Sequence, residues 1–200
     1  SRAVPGDVDG DGFDDVACCD PARRSWWVLH GSPAGFATAA VDTRAGPDSD
    51  ASRAVSADLD GDGRRDVLVP QGGLWHWLRR APSGGYAYSS TGLPESIVPG
   101  VPLAADVDGD GRDDLVYRSP GGDALRWRRS LASATTPLLA AEATLWTAPA
   151  GVMLATSPFV QHVQRHRSAH RSADVNGDGR DDLLVLTVPA GCTGSYCAPL

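Results

Sequence analysis

The chain has 200 residues, 42% of them apolar, and a formal charge of −7 at pH 7 from 25 acidic and 18 basic residues. That length buries a substantial core in one or two domains. No stretch approaches the ~20 apolar residues of a membrane span, and the basic residues are too scattered to read as a nucleic-acid surface.

In chain order, the predicted strand RAVPGDV (2–8) leads into DVDGDGFDD from Asp7, then DVACC (15–19), SWWVLH (25–30) and GFATAAV (35–41). The pattern returns as SRAVSADL (52–59), DLDGDGRRD from Asp58, DVLVP (66–70), LWHWLRR (74–80) and GYAYSST (85–91). It returns again as VPLAADV (101–107), DVDGDGRDD from Asp106, DLVYR (114–118) and ALRWRR (124–129). Residues 131–165 show weak strand patterning and read as an insertion or an elaborated edge. DVNGDGRDD from Asp174 follows, with LLVLTV (183–188) and a tail. Apolar, β-branched runs bounded by Gly and Pro read as strands, so each acidic loop joins two strands.

Each nonapeptide sets oxygen side chains at positions 1, 3, 5 and 9, with glycine at 4 and 6. Calcium takes six to eight oxygens at ~2.3–2.6 Å, and a tight turn gathers them from a short stretch of chain. The expected ligands are Asp7, Asp9, Asp11, Asp15 and the carbonyl of Phe13; Asp58, Asp60, Asp62, Asp66 and that of Arg64; Asp106, Asp108, Asp110, Asp114 and that of Arg112; Asp174, Asn176, Asp178, Asp182 and that of Arg180. The side chain at position 7 is free to vary if only its carbonyl is used, and glycine at position 4 keeps bulk out of the turn. Gathered carboxylates repel unless a cation lies among them. An EF-hand needs an acid at position 12, and Cys18, Val69, Tyr117 and Val185 stand there. The loops hold eighteen of the 25 acids, and four Ca2+ would take the formal charge from −7 to about +1.

The loops start 51, 48 and 68 residues apart, and a period of this size marks a repeat architecture. Four antiparallel strands per period describe a propeller blade. On the D-x-[DN]-G-D-G-x-x-D motif, the chain resembles the FG-GAP or VCBS repeats of integrin α-chain propellers and secreted bacterial proteins. The resemblance implies an all-β fold of four-stranded antiparallel blades, a Ca2+ loop between the first and second strands of each, and up to four ions. The chain is expected to be one propeller segment of four repeats, about 1–50, 51–98, 99–165 with the insertion, and an incomplete 166–200. Family propellers have about seven blades, so a partial ring, or one completed by another segment or chain, is expected.

The family fixes no ligand. The expected function is a recognition module for a protein or glycan partner, with structural calcium; the alternatives are a non-catalytic scaffold appended to a secreted enzyme, or a lectin. No nucleophile-elbow, zinc-protease or phosphate-loop motif is present, so catalysis is not expected. Calcium sites of modest affinity and the cysteines suit an extracellular setting, and arginine as the sole strong base points to high-GC bacterial coding. Cys192 and Cys197 bracket TGSY and suit a local disulfide, while adjacent Cys18 and Cys19 should face opposite sides of a strand; the pairing is left open. His162, His166 and His170, at four-residue spacing, read as a polar edge. Trp26, Trp27, Trp75, Trp77 and Trp127 read as inter-blade core ahead of sugar platforms. Arg126, Arg128 and Arg129 read as a solvated strand face.

Overall fold

The computed structural model describes residues 3–20, 25–41, 51–81, 85–98, 101–131, 139–154, 172–185 and 187–190. Three four-stranded antiparallel sheets follow one another along the chain. The first runs β1 (Ala3–Gly6), β2 (Asp15–Asp20), β3 (Ser25–His30), β4 (Ala37–Val41), and the second β5 (Val55–Ala57), β6 (Asp66–Gln71), β7 (Leu74–Arg80), β8 (Tyr86–Pro94). The third joins β9 (Leu103–Ala105), β10 (Asp114–Arg118), β11 (Ala124–Arg128) and β12 (Ala143–Thr147). Among the described residues no helix is long and apolar enough to cross a membrane.

The period-2 geometry of a strand sends alternate side chains to opposite faces, and here both faces of a sheet meet another sheet. In β6 the run Asp66–Pro70 is buried throughout. Position 10 of the motif and position 12 face the preceding sheet, while positions 2 and 11 face the following one. Thus Val8, Ala17, Trp26 and Val28 of the first sheet pack with Val67, Val69 and Leu78 of the second. Leu59, Leu68, Trp75 and Trp77 of the second pack with Leu115, Tyr117 and Leu139 beyond. Trp26 and Trp75 are wholly buried, so these indoles fill inter-sheet space.

Three expectations change. The fourth strand of the third sheet, β12, lies inside 131–165, which therefore is not simply an insertion: β12 pairs with β11 after a register shift at Leu125/Arg126. Its residues are exposed or half-buried, and no buried face imposes the alternation that sequence reading depends on. The LLVLTV run is also divided. β15 (Asp182–Leu183) pairs with β14 (Ser172–Ala173), whereas β16 (Thr187–Pro189) pairs with β13 (Val152–Leu154) from the same long interval. The arginine cluster is engaged as well as solvated: Arg128 donates to Tyr117 Oη (3.1 Å) and to the Ala140 carbonyl (3.0 Å), and Arg126 pairs with Thr144 across the strands.

Cys18 is half-buried and Cys19 buried on β2, both as free thiols, and their alternation follows the pleat. No disulfide forms among the described residues. Cys192, Cys197, His162, His166 and His170 lie outside the described residues.

Candidate functional site

The four loops sit between β1 and β2, β5 and β6, β9 and β10, and β14 and β15. Each folds back on its own first aspartate. Asp7 Oδ1 accepts from the amides of Gly10 (2.7 Å) and Asp11 (3.2 Å), and its Oδ2 from Gly12 (2.9 Å). Asp58 accepts from Gly61 and Gly63, Asp106 from Gly109, Asp110 and Gly111, and Asp174 from Gly177, Asp178 and Gly179. Position 5 then caps position 7: Asp11, Asp62, Asp110 and Asp178 accept from the amides of Phe13, Arg64, Arg112 and Arg180. Glycine at position 6 holds a positive φ, between 80° and 88°, where a side chain would be strained.

This folding brings carboxylates together. Oxygens of Asp7, Asp9 and Asp11 lie within 4.8 Å of one another, as do those of Asp58, Asp60 and Asp62, and those of Asp106, Asp108 and Asp114. In the first loop, Asp9 and Asp15 form a further group with His30. The fourth loop shows no such group among the described residues, and Asp174, Asn176 and Asp178 are exposed in it. Position 9 is the deepest. Asp15, Asp66 and Asp114 are buried, with Asp15 accepting from Val8 and Gly31 and Asp114 from Val107 and Ser130. In the fourth loop Asp182 accepts from Val175 (2.9 Å) while remaining exposed.

Electrostatics and hydrogen bonding both leave a deficit that a cation would fill. Burial, then the charges of Asp60, Asp62 and Asp58, push the Asp66 carboxyl up to about 8. The Leu59 amide offsets this slightly, yet Asp66 Oδ2 has no hydrogen-bond partner. Burial, reinforced by Asp108 and Asp110 and opposed by the Ser130 and Val107 amides, pushes Asp114 up to about 7. Burial also raises Asp58, with Asp62 and Asp60 adding to it. The exposed Asp174 is held below its ordinary value by the amides of Gly179, Gly177 and Asp178. Asp60 Oδ1 and Asp108 Oδ1 are likewise buried without a donor. A carboxylate oxygen in that position either takes a proton or faces a positive ion. In loops two and three the converging donors are all oxygens, which suits a hard divalent cation.

Residues 7–69 match the FG-GAP-like repeat and residues 99–135 the FG-GAP repeat. The chain belongs to the FG-GAP repeat family. Its sheets are thus the antiparallel blades of a β-propeller module. No curated protein matches the chain. The two FG-GAP matches span the first three loops, and the fourth, from Asp174, lies outside both.

Two features of these FG-GAP blades escaped sequence reading. A basic side chain at the end of each third strand reaches position 3 of its own loop: His30 Nδ1 lies 2.9 Å from Asp9 Oδ2, Arg79 Nη1 3.5 Å from Asp60 Oδ2, and Arg129 Nε 2.5 Å from Asp108 Oδ2. Arg129 also donates to Asp110 (3.0 Å).

The second feature links neighbouring loops. The amide of position 8 donates to the position-1 carbonyl of the preceding loop, Arg65 to Asp7, Asp113 to Asp58 and Asp181 to Asp106, each at 2.7 Å. In return, the amides of Asp58 and Asp106 donate to the carboxylates of Asp113 (2.9 Å) and Asp181 (3.1 Å). The position-7 arginines have a packing role besides the carbonyl: they cover the position-4 glycines of the preceding loop. A Cβ on Gly10, Gly61 or Gly109 would come 3.1, 2.9 or 3.1 Å from Cγ of Arg64, Arg112 or Arg180. Glycine at position 4 therefore makes room for the next blade as well as for its own turn.

Proposed function

We propose that this protein is a secreted, calcium-stabilised β-propeller recognition module that binds a protein or glycan partner and performs no chemistry itself. The observation that carries the metal assignment is the convergence of acidic oxygens in loops two and three around buried oxygens that lack donors, Asp60 Oδ1, Asp66 Oδ2 and Asp108 Oδ1. The ligands would be positions 1, 3, 5 and 9 with the position-7 carbonyl: Asp7, Asp9, Asp11, Phe13 and Asp15, and their counterparts from Asp58, Asp106 and Asp174. The ion would supply charge neutralisation, and because the unfolded chain lacks the assembled site, binding energy becomes folding energy.

The four-repeat organisation over residues 1–200 belongs to this reading, as does an extracellular location, where millimolar calcium fills sites of modest affinity. Carboxylates committed to a divalent ion are poor general acids or bases, which favours a binding role. Trp26, Trp75 and Trp77 are enclosed between blades, so a partner must be met by other side chains.

Calorimetric titration with Ca2+ and melting curves in Ca2+ and in EDTA test the metal assignment. A melting temperature several degrees lower in EDTA is expected. Identical curves, with the metal shown to be gone, would refute it. A glycan array and a pull-down with the immobilised protein test the recognition role.

A further inference from the structure

A basic side chain from the third strand reaches position 3 of the loop in each of the first three repeats, but its chemistry is not the same in all of them. Arg79 and Arg129 meet Asp60 and Asp108 with guanidinium groups, which carry a fixed charge and have no lone pair to give a metal. The first repeat places His30 there. A neutral imidazole offers a nitrogen lone pair, a donor that suits borderline first-row cations and that hard Ca2+ does not seek.

The ring is placed to use that lone pair. His30 Nδ1 lies 2.9 Å from Asp9 Oδ2 and 3.5 Å from Asp15 Oδ1, and the three side chains converge as one group of ligand atoms. Ligands held ~2.0–2.2 Å from one ion lie roughly 3–3.5 Å apart, and Nδ1 stands at that spacing from both carboxylates. It is shut off from solvent without a hydrogen-bond partner, so its approach to Asp9 is close but not aligned for donation. The groups behind the three ligands fix them. Asp15 is fully buried and accepts from the amides of Val8 (2.9 Å) and Gly31 (2.8 Å). On the far side of the imidazole, Nε2 lies 3.3 Å from Tyr86 Oη of the second blade, and Arg80 lies over the Tyr86 ring, 5.8 Å from its centroid. An Nε2–H that donates to Tyr86 leaves Nδ1 as the bare nitrogen, which is the tautomer a metal needs.

We propose that the first loop is a site for a borderline divalent cation of the zinc class, held by His30 Nδ1, Asp9 and Asp15, while the second and third loops take a hard cation on oxygen alone. The two carboxylates balance the charge of the ion, and the nitrogen sets its preference, since affinity at a mixed N and O site rises toward the later first-row metals. His30 stands between the Asp9 and Asp15 carboxylates and Tyr86 of β8, so an ion bound there also links the first blade to the second.

The proposal rests on reading the loops as metal sites and departs from that reading in the ion of the first. NMR of protein labelled with 15N at histidine tests it, with Zn2+ titrated in millimolar Ca2+. The His30 signals, assigned through the neighbouring Tyr86 ring, are expected to move as the first equivalents of Zn2+ are added, with Nδ1 rather than Nε2 showing the change of a ligated nitrogen. By calorimetry, His30→Arg, which installs the residue of the second and third repeats, is expected to weaken this Zn2+ site by about tenfold or more while keeping its Ca2+ binding. His30 signals that stay in place as Zn2+ is added overturn the proposal. So does a His30→Arg variant that takes up Zn2+ with wild-type affinity and stoichiometry, which would place the zinc elsewhere. Calcium titrations on the same samples separate the two readings. Ca2+ binding with unmoved His30 signals defeats this proposal alone, and a Zn2+ response at His30 without Ca2+ binding defeats the calcium assignment alone.

Discussion

Replacing Asp66 by Asn should reverse its effect on stability according to whether calcium is present. Asp66 is buried at the base of the second loop, its Oδ2 lacks a donor, and burial with three neighbouring carboxylates raises it from 3.8 to about 8. A carboxyl raised on folding favours the folded state below its unfolded value, and this contribution is lost as pH rises toward the folded value. The ion-free protein should therefore weaken from about pH 4 to about pH 8, the window that Asp66 sets. At about 1.4 kcal/mol per unit, the full shift is worth on the order of 5 kcal/mol, a ceiling because an ion-free loop can admit water. Asn carries no charge, so Asp66→Asn should be the more stable protein in EDTA at pH 9 by up to that amount and close to wild type at pH 4. In saturating Ca2+ the order inverts, because the variant has lost a ligand. Urea unfolding at pH 4, 7 and 9, with Ca2+ or EDTA, gives the comparison. An Asn variant less stable than wild type in EDTA at pH 9, or pH slopes that run parallel, would refute the reasoning.

Gly61→Ala should cost about 2 kcal/mol, since the residue has φ +76° and its new Cβ would press 2.9 Å from Arg112 Cγ. Adding Arg112→Ala should recover the steric part but not the strain at positive φ, so a double-mutant cycle by urea unfolding should give less than the sum of the single costs. Trp75→Ala should cost about 3–5 kcal/mol through the cavity left between the second and third blades, read as a lower urea midpoint, and loss of loop-two calcium affinity alone would contradict that core role.

Whatever is written locally could be read from the sequence. The nonapeptide loops, the strands that flank them and the inward Trp26 and Trp75 follow from spacing, alternation and turn chemistry within a few residues. β12 was missed because ATLWT presents no buried face, and β13 because its partner, β16, arrives only after a long interval. His30, Arg79 and Arg129 were missed because their meeting with Asp9, Asp60 and Asp108 exists only once the third strand has folded back along the second. The arginines over Gly10, Gly61 and Gly109 were harder still. Their partners lie a whole repeat away, and position 7 looks unconstrained when a single loop is considered.

The bonds from Arg65 to Asp7, Asp113 to Asp58 and Asp181 to Asp106 join the loops through the backbone of their first aspartate. A loop that collapses or swells shifts the carbonyl on which its neighbour's amide hangs, and the disturbance passes to the next set of carboxylates. The row then behaves as a one-dimensional lattice with nearest-neighbour terms. Ordering at one loop lowers the entropy still to be lost at the next, so ions should enter in runs.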